Sequence, residues 1–276
     1  MNALSPGLSA RQYRAVFISD THLGTRDCRS DFLIDFLRRM TCRQLYLVGD
    51  IVDGWRLRRS WYWDDAHNEV ARLIVRHARN GAEVTYIPGN HDEMLRAWLA
   101  LGLEVAGVRL ASEAVHVTSD GRRLLVIHGD EFDSVVRYAR PLAFLGDRAY
   151  AAALAVNRWF NDGRRRLGYP YWSLSAWAKR QVKEAVKAID RFEIALTDEA
   201  RRRGFDGVVC GHIHHAEMRD VNGVLYLNDG DWVESCTAVV EHHDGRLELI
   251  DWAALNRLSF FTRPIGRQGA RLPETV

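Results

Sequence analysis

Several residue types are scarce in this 276-residue chain: it has four cysteines, six prolines and three lysines. The cysteines (Cys28, Cys42, Cys210, Cys236) are scattered and form no Cys-x-x-Cys pair. That excludes a disulfide scaffold and predicts free, mostly buried thiols in a reducing compartment. Long apolar runs are missing too. The longest, Ala149 to Val156, falls well short of the roughly 18–20 residues a bilayer-spanning helix needs. Met1 to Tyr13 has no apolar core and no cleavage pattern, which predicts no secretory signal. With 47% hydrophobic and 27% charged residues, the chain is neither disordered nor collagen-like. Its length suits one large domain, or one domain carrying an elaborate insertion.

The formal charge is only +2, which predicts no strong attraction to nucleic acid. Its distribution is uneven. Residues 131–204 hold 15 Lys+Arg against 9 Asp+Glu, and all three lysines (Lys179, Lys183, Lys187) lie there. The flanks are net acidic.

Hydrophobic periodicity predicts strands at 14–19, 44–48 and 83–87, alternating with helices at 30–40, 64–79 and 93–101. This alternation argues for a layered α/β domain with parallel pairing. Residues 114–118 and 123–127 flank Ser119-Asp120-Gly121, a hairpin signal. After a helical, basic and aromatic stretch, strands return at 207–210, 224–227, 237–241 and 247–251. The expected organisation is a discontinuous α/β domain (1–130 and 205–255), a helical cap insertion (131–204) and a peripheral tail (256–276).

Polar residues cluster where strands end. Asp20-Thr-His22 follows the first, Gly49-Asp50 the second and Gly89-Asn-His-Asp92 the third; His128-Gly-Asp130 and Gly211-His-Ile-His214 follow later ones. Ligands of open α/β sheets bind at the carboxyl ends of strands. The donors are oxygen and imidazole without thiolate, a set suited to Mn²⁺, Fe or Zn²⁺. Seven donors are too many for one tetrahedral ion and suit two ions sharing a carboxylate, the arrangement that clamps an in-line displacement at phosphorus. Gly49, Gly89 and Gly211 precede these donors, and are expected to allow tight turns and positive φ.

The ordered set D-x-H, GD, GNHD, H and GHxH over residues 20–214 resembles the calcineurin-like metallophosphoesterase superfamily. The resemblance implies a four-layer α-β-β-α sandwich and a metal-dependent phosphoesterase or pyrophosphatase with two divalent ions, Mn²⁺ first and Fe or Zn²⁺ as alternatives. It implies that Asp20, His22, Asp50 and His214 hold one ion. Asp50, Asn90, His128 and His212 hold the other, with Asp50 as bridge. His91 is then no ligand but faces the substrate phosphate and assists the leaving oxygen. Length and the helical insertion are similar to the UDP-2,3-diacylglucosamine diphosphatase branch of lipid A synthesis, where the insertion is a lid over an acylated substrate. That likeness implies a nucleotide glycolipid substrate and a cytoplasmic enzyme, peripheral on the inner membrane. His91 stands where that branch carries Arg. The alternatives are a phosphomonoesterase or phosphodiesterase acting on a soluble nucleotide or phosphoprotein, and a metal-free scaffold; the complete donor set counts against the scaffold.

The remaining polar residues divide between bland and functional readings. Trp55 to Trp63, aromatic and basic after Asp50, is expected to form a substrate rim through Arg56, Arg58 and Arg59. The lysines at 179, 183 and 187 share a helical face. Either they are solvated or, like Lys179 and Lys183 in the functional reading, they face phosphate or membrane. The insertion's aromatics (Trp159, Phe160, Tyr169, Tyr171, Trp172, Trp177) form either a small core or a membrane-facing surface. His215 is a candidate substrate contact. Asp53 is expected to support the site near Asp50, Asp92 to cap a helix or support His91, and Asp130 to orient a ligand or simply make a turn. His67, His77, His116, His242 and His243 are assigned no role.

Overall fold

The computed structural model describes residues 11–132, 167 and 174–261. Strand β1 (Arg11–Ile18) leads through the Asp20 loop to helix α1 (Ser30–Arg39), then β2 (Met40–Val48), the short α2 (Gly54–Arg59), α3 (Asp65–Arg79) and β3 (Glu83–Ile87). A 3₁₀ stretch (Glu93–Leu101), β4 (Glu104–Val105) and β5 (Val108–Leu110) follow, then the hairpin β6 (Ala114–Val117) and β7 (Arg123–Val126). Beyond them come α4 (Leu174–Arg202), β8 (Gly207–Cys210), β9 (Glu217–Val221), β10 (Val224–Asn228), β11 (Thr237–Glu241), β12 (Leu247–Asp251) and α5 (Trp252–Phe261).

The strands form two mixed sheets, one ordered β12-β11-β1-β2-β3-β5-β4 and the other β6-β7-β8-β10-β9. Period-two alternation explains why they stack. In β1 and β2, Val16, Ile18, Leu45 and Leu47 point outward to a core shared with α1 and α3. Ala15, Phe17, Tyr46 and Val48 point inward, where they meet Leu124, Val126, Val209 and Leu227 of the other sheet. On the far side Leu125, Val208, Cys210 and Tyr226 pack under Ala188, Phe192, Leu196 and Ala200, a four-residue stripe along α4. The layers therefore run helix, sheet, sheet, helix, as the sequence resemblance implied.

Parallel pairing sets where the chemistry falls. β1 runs parallel to β2 and β2 to β3, while β7 runs parallel to β8. The loops after all five strands carry the polar motifs.

Several expectations need adjustment. The segment 93–101 is 3₁₀ rather than α-helical, and none of its residues is buried. β4, β5, β9, α2 and α5 were not anticipated. β9 is a mostly exposed edge strand with a polar run (Glu217–Val221), so no alternation advertises it. From Ala188 onward, the segment expected as a cap supplies the sandwich's own fourth layer. Helix α5 runs across the boundary expected at 255–256, with Trp252 buried against Phe36 at 5.2 Å between ring centroids. Residues 133–166 and 168–173 of the expected cap, including Trp159, Phe160, Tyr169, Tyr171 and Trp172, and the end of the tail (262–276) lie outside the described residues. So do the side chains of Trp177 and Lys179.

Candidate metal centre

Seven donor side chains converge from the ends of five strands. Five of them sit on left-handed backbone: Asp20 (φ 50°), His22 (47°), Asp50 (53°), His212 (72°) and His214 (54°). Non-glycine residues rarely adopt this region, and such strain concentrates at functional sites. Backbone bonds between loops hold the geometry. Asp20 N donates to Gly49 O (3.0 Å), His22 N to Asp50 O (3.0 Å) and Trp232 N to Asp20 O (3.1 Å).

The three motif glycines serve this crowding in different ways. Gly49 has a positive φ of 83°. Gly89 and Gly211 do not, which corrects the expectation for them. Their role is space, since a Cβ on Gly89 would collide with Asp50 and His128, and one on Gly211 with Ser19 and Asp20.

Among the described residues three donor groups are close enough to share a cation: the triads Asp20–His22–His214 and Asp50–His128–His212, made of the expected ligands, and a third group, His22–Asp53–His91, which adjoins the first through His22. In the first, Asp20 Oδ1 lies 3.0 Å from His214 Nε2 and 3.7 Å from His22 Nε2. In the second, Asp50 Oδ2 lies 3.5 Å from His128 Nε2. The imidazole nitrogens of each triad, His22 with His214 and His128 with His212, stand 3.3 Å apart. Two nitrogens on one tetrahedral ion at ~2.0–2.1 Å span about 3.3 Å, so this spacing matches a shared cation. The triads abut, because His212 N donates to Asp20 Oδ2 (2.8 Å).

Neighbouring groups set the imidazole tautomers. His128 Nδ1–H donates to Val48 O (2.8 Å) and His22 Nδ1–H to Asp53 Oδ2 (3.2 Å), so each ring turns Nε2 inward. Asn90 is buried beside them, and neither its Oδ1 nor its Nδ2 has a hydrogen-bond partner. Asp20 Oδ1 and Asp50 Oδ2 are likewise buried without a hydrogen bond of ordinary geometry. Orphaned oxygens beside inward-facing imidazoles fit a divalent-cation site.

Electrostatics agree. Burial opposes the Asp20 charge, yet His214 and His22 hold that carboxyl well below the usual range. Asp50 is held at about 2, its burial outweighed mainly by His128. Burial also opposes charge on His22, but the neighbouring Asp20 and Asp53 carboxylates raise it to about 10. His128 reaches about 10 in the same way, through Asp50. The carboxylates thus create a potential that draws protons onto the imidazoles when no other cation is there.

His91 joins neither of these two triads and instead groups with His22 and Asp53. Its Nδ1 lies 3.0 Å from Asp53 Oδ2 and its Nε2 3.9 Å from Asp50 Oδ2. Trp55 packs on its ring (4.3 Å between centroids), and His91 N donates to Asp50 Oδ1 (2.7 Å). Asp53 is more central than expected. Its Oδ2 accepts from His22 Nδ1–H and lies 3.0 Å from His91 Nδ1, while Oδ1 caps α2 by accepting from Arg56 N (2.8 Å).

Asp92 proves to be neither a helix cap nor a partner of His91. It accepts from Ile51 N (2.8 Å), Gly89 N (2.5 Å) and Tyr86 Oη (2.5 Å), bracing the loops of Asp50 and Asn90. Asp130 pairs with Arg96 at 2.8 Å. Arg56, Arg58 and Arg59 are exposed on α2, which adjoins His91, and Lys183 is exposed on α4. His215 is half-exposed and lies 3.9 Å from Glu217 Oε2, apart from both triads. Sequence reasoning missed Ser19 and Asp229. The signal for Asp229 was Asn228-Asp229-Gly230 at a strand end, the same kind of setting as the other motifs.

Residues 13–216 match the family described as calcineurin-like phosphoesterase. A UDP-2,3-diacylglucosamine hydrolase of Neisseria meningitidis serogroup B is 26% identical over 239 residues, covering 79% of this chain and 89% of its own. The enzyme of that name from Cellvibrio japonicus is 32% identical over 123 residues, 42% of this chain and 48% of its own. A solved archaeal phosphodiesterase aligns over 86% of this chain and 98% of its own, at 14% identity and a TM-score of 0.41.

Proposed function

The chain belongs to the calcineurin-like phosphoesterase family, metal-dependent hydrolases of phosphoester bonds, and on that premise we propose that it cleaves the pyrophosphate bond of a nucleotide-linked glycolipid of the UDP-2,3-diacylglucosamine kind. The observation that carries the reading is the pair of abutting Asp/His triads with orphaned oxygens on Asp20, Asp50 and Asn90. Asp20, His22, Asp50 and His214 would hold one divalent ion; Asp50, Asn90, His128 and His212 would hold the other. Mn²⁺ is the first choice, with Fe or Zn²⁺ as alternatives. Bound there, the ions supply a water nucleophile at neutral pH and neutralise charge at phosphorus.

The chain's own side chains do the rest. Asp53 Oδ2 stands 3.0 Å from His91 Nδ1, which leaves Nε2 free at the cluster's edge to serve the leaving oxygen. Trp55 fixes that ring from its outer side. Arg56, Arg58 and Arg59 extend from the adjoining helix as a basic rim for substrate phosphate.

The substrate class is supported by the relatives named UDP-2,3-diacylglucosamine hydrolase, one aligned over most of both chains. Such a substrate places the enzyme in the cytoplasm against the inner membrane. Among the described residues, no helix is long and apolar enough to cross a membrane, so attachment would be peripheral. His91 supports a second reading, phosphomonoester or phosphodiester hydrolysis of a soluble nucleotide or phosphoprotein, because the lipid A branch carries Arg at that position.

A Mn²⁺-supplemented hydrolysis panel separates the two readings. UDP-2,3-diacylglucosamine should give the highest kcat/KM, with UMP and the acylated sugar phosphate as products. Higher kcat/KM on phosphomonoesters or cyclic nucleotides would favour the second reading.

A further inference from the structure

We propose that Ser19 and Asp229 are positioning residues for Asp20, acting as a hydrogen-bond chain that selects Oδ1 as the atom this carboxylate presents to a cation. The proposal rests on the reading of Asp20 as a ligand. All three residues are fully buried, at 0–1% exposure. Ser19 Oγ lies 2.6 Å from Asp20 Oδ2 and 2.5 Å from Asp229 Oδ1. With His212 N also donating at 2.8 Å, Asp20 Oδ2 has two donors while Oδ1 keeps its lone pairs for the His22 and His214 side of the triad.

Hydrogen counting gives the chain its direction. A serine hydroxyl has one proton, yet Ser19 Oγ contacts two carboxyl groups, so one acid must supply a second proton. Asp229 is the better candidate. Its Oδ2 is buried with no hydrogen-bond donor, a setting that favours the neutral acid, whereas Asp20 Oδ2 already accepts from His212 N. Asp229 therefore donates to Ser19 Oγ and Ser19 donates to Asp20. The chain also resolves a competition. Gly230 O lies 3.2 Å from Ser19 Oγ and could take its proton; a donor entering from Asp229 orients the hydroxyl.

Asp229 is itself anchored. Its N donates to Cys210 O (3.0 Å) and its O accepts from Thr237 Oγ1 (2.7 Å). Asn228 Nδ2 donates to Gly211 O (2.8 Å), so the same loop steadies the His212 turn. Without the chain, Asp20 would lose one of two donors to Oδ2, and its terminal torsion is soft enough to swing.

Calorimetric Mn²⁺ titration of the metal-stripped full chain tests this. Wild type should take up two ions. Ser19→Ala should weaken one of them by about 10–100-fold and leave the other unchanged. Asp229→Ala should weaken the same ion, and the double variant should be no worse than the worse single, as coupled residues behave. Asp229→Asn, which keeps a hydrogen-bonding group against Ser19, should restore affinity. Wild-type binding in Ser19→Ala, additive losses in the double variant, or equal weakening of both ions with a lowered Tm would each overturn the proposal while leaving the two-ion reading intact. No uptake by wild type would overturn both.

Discussion

Left-handed φ at five of seven donors is a cost of about 1–3 kcal/mol each, tolerated only because surrounding bonds over-determine the loops. The donors themselves were legible because metal chemistry restricts which residue types can serve, and the motifs recur at strand ends. Asp53, Asp92, Ser19 and Asp229 were harder to read. They act on other side chains or on backbone amides, tasks that many polar residues perform. Two predictions belong at this scale. His91→Ala should lower turnover while leaving metal content intact, since His91 lies outside the Asp20 and Asp50 triads; metal analysis beside kinetics checks it, and loss of metal would make His91 a ligand through the His22–Asp53–His91 group. Metal uptake should also release protons. In the metal-free chain His22 and His128 titrate at about 10, so both carry protons at pH 7 and must lose them to coordinate. Affinity therefore rises with pH, and calorimetry in buffers of different ionisation enthalpy should show net proton release of at least one per chain. Heats independent of the buffer would contradict this.

At the scale of elements, strands and amphipathic helices were legible where one face is apolar. Val70, Leu73, Ile74 and His77 of α3 are buried as their spacing predicts. The nine-residue stretch Glu93–Leu101 misled because its apolar residues suggest a helix, yet it buries none of them and winds as 3₁₀. His77 joins α3 to α1 by donating Nε2–H to Leu37 O (2.9 Å). Burial holds its pKa below the ordinary value, although the Leu37 bond partly offsets this. The unfolded chain then binds a proton near pH 6.5 that the folded chain refuses, so stability is lost as pH falls below about 6.5. His77→Ala should cost about 1–3 kcal/mol at pH 8 by orphaning a buried carbonyl. His77→Gln can keep the bond without titrating, and should lose less stability than wild type between pH 7 and pH 5. Urea unfolding across that range checks both; equal pH slopes for wild type and His77→Gln would contradict the assignment.

For the whole molecule, the α/β alternation gave away the layers, but not how the second sheet is covered. That depends on α4, whose stripe Ala188, Phe192, Leu196 and Ala200 closes the outer face. Composition had made 131–204 look like a separable cap, because basic and aromatic residues dominate it while the packing stripe occupies only its C-terminal part. Deleting 131–204 should therefore unfold the protein, not merely change its substrate preference; a cooperative thermal transition at the wild-type Tm would contradict this. Folding of the sandwich is what brings Asp20, Asp50, Asn90, His128 and His212 together, since inward-facing residues of the two sheets pack in one core beneath their strand ends. The most direct test of that convergence is metal stoichiometry by elemental analysis after Mn²⁺ loading, for wild type and Asp50→Ala. Wild type should retain two ions per chain, and Asp50→Ala should lose both ions and turnover while keeping its fold. A wild type with one ion or none, or an Asp50→Ala variant that holds both, would contradict the account.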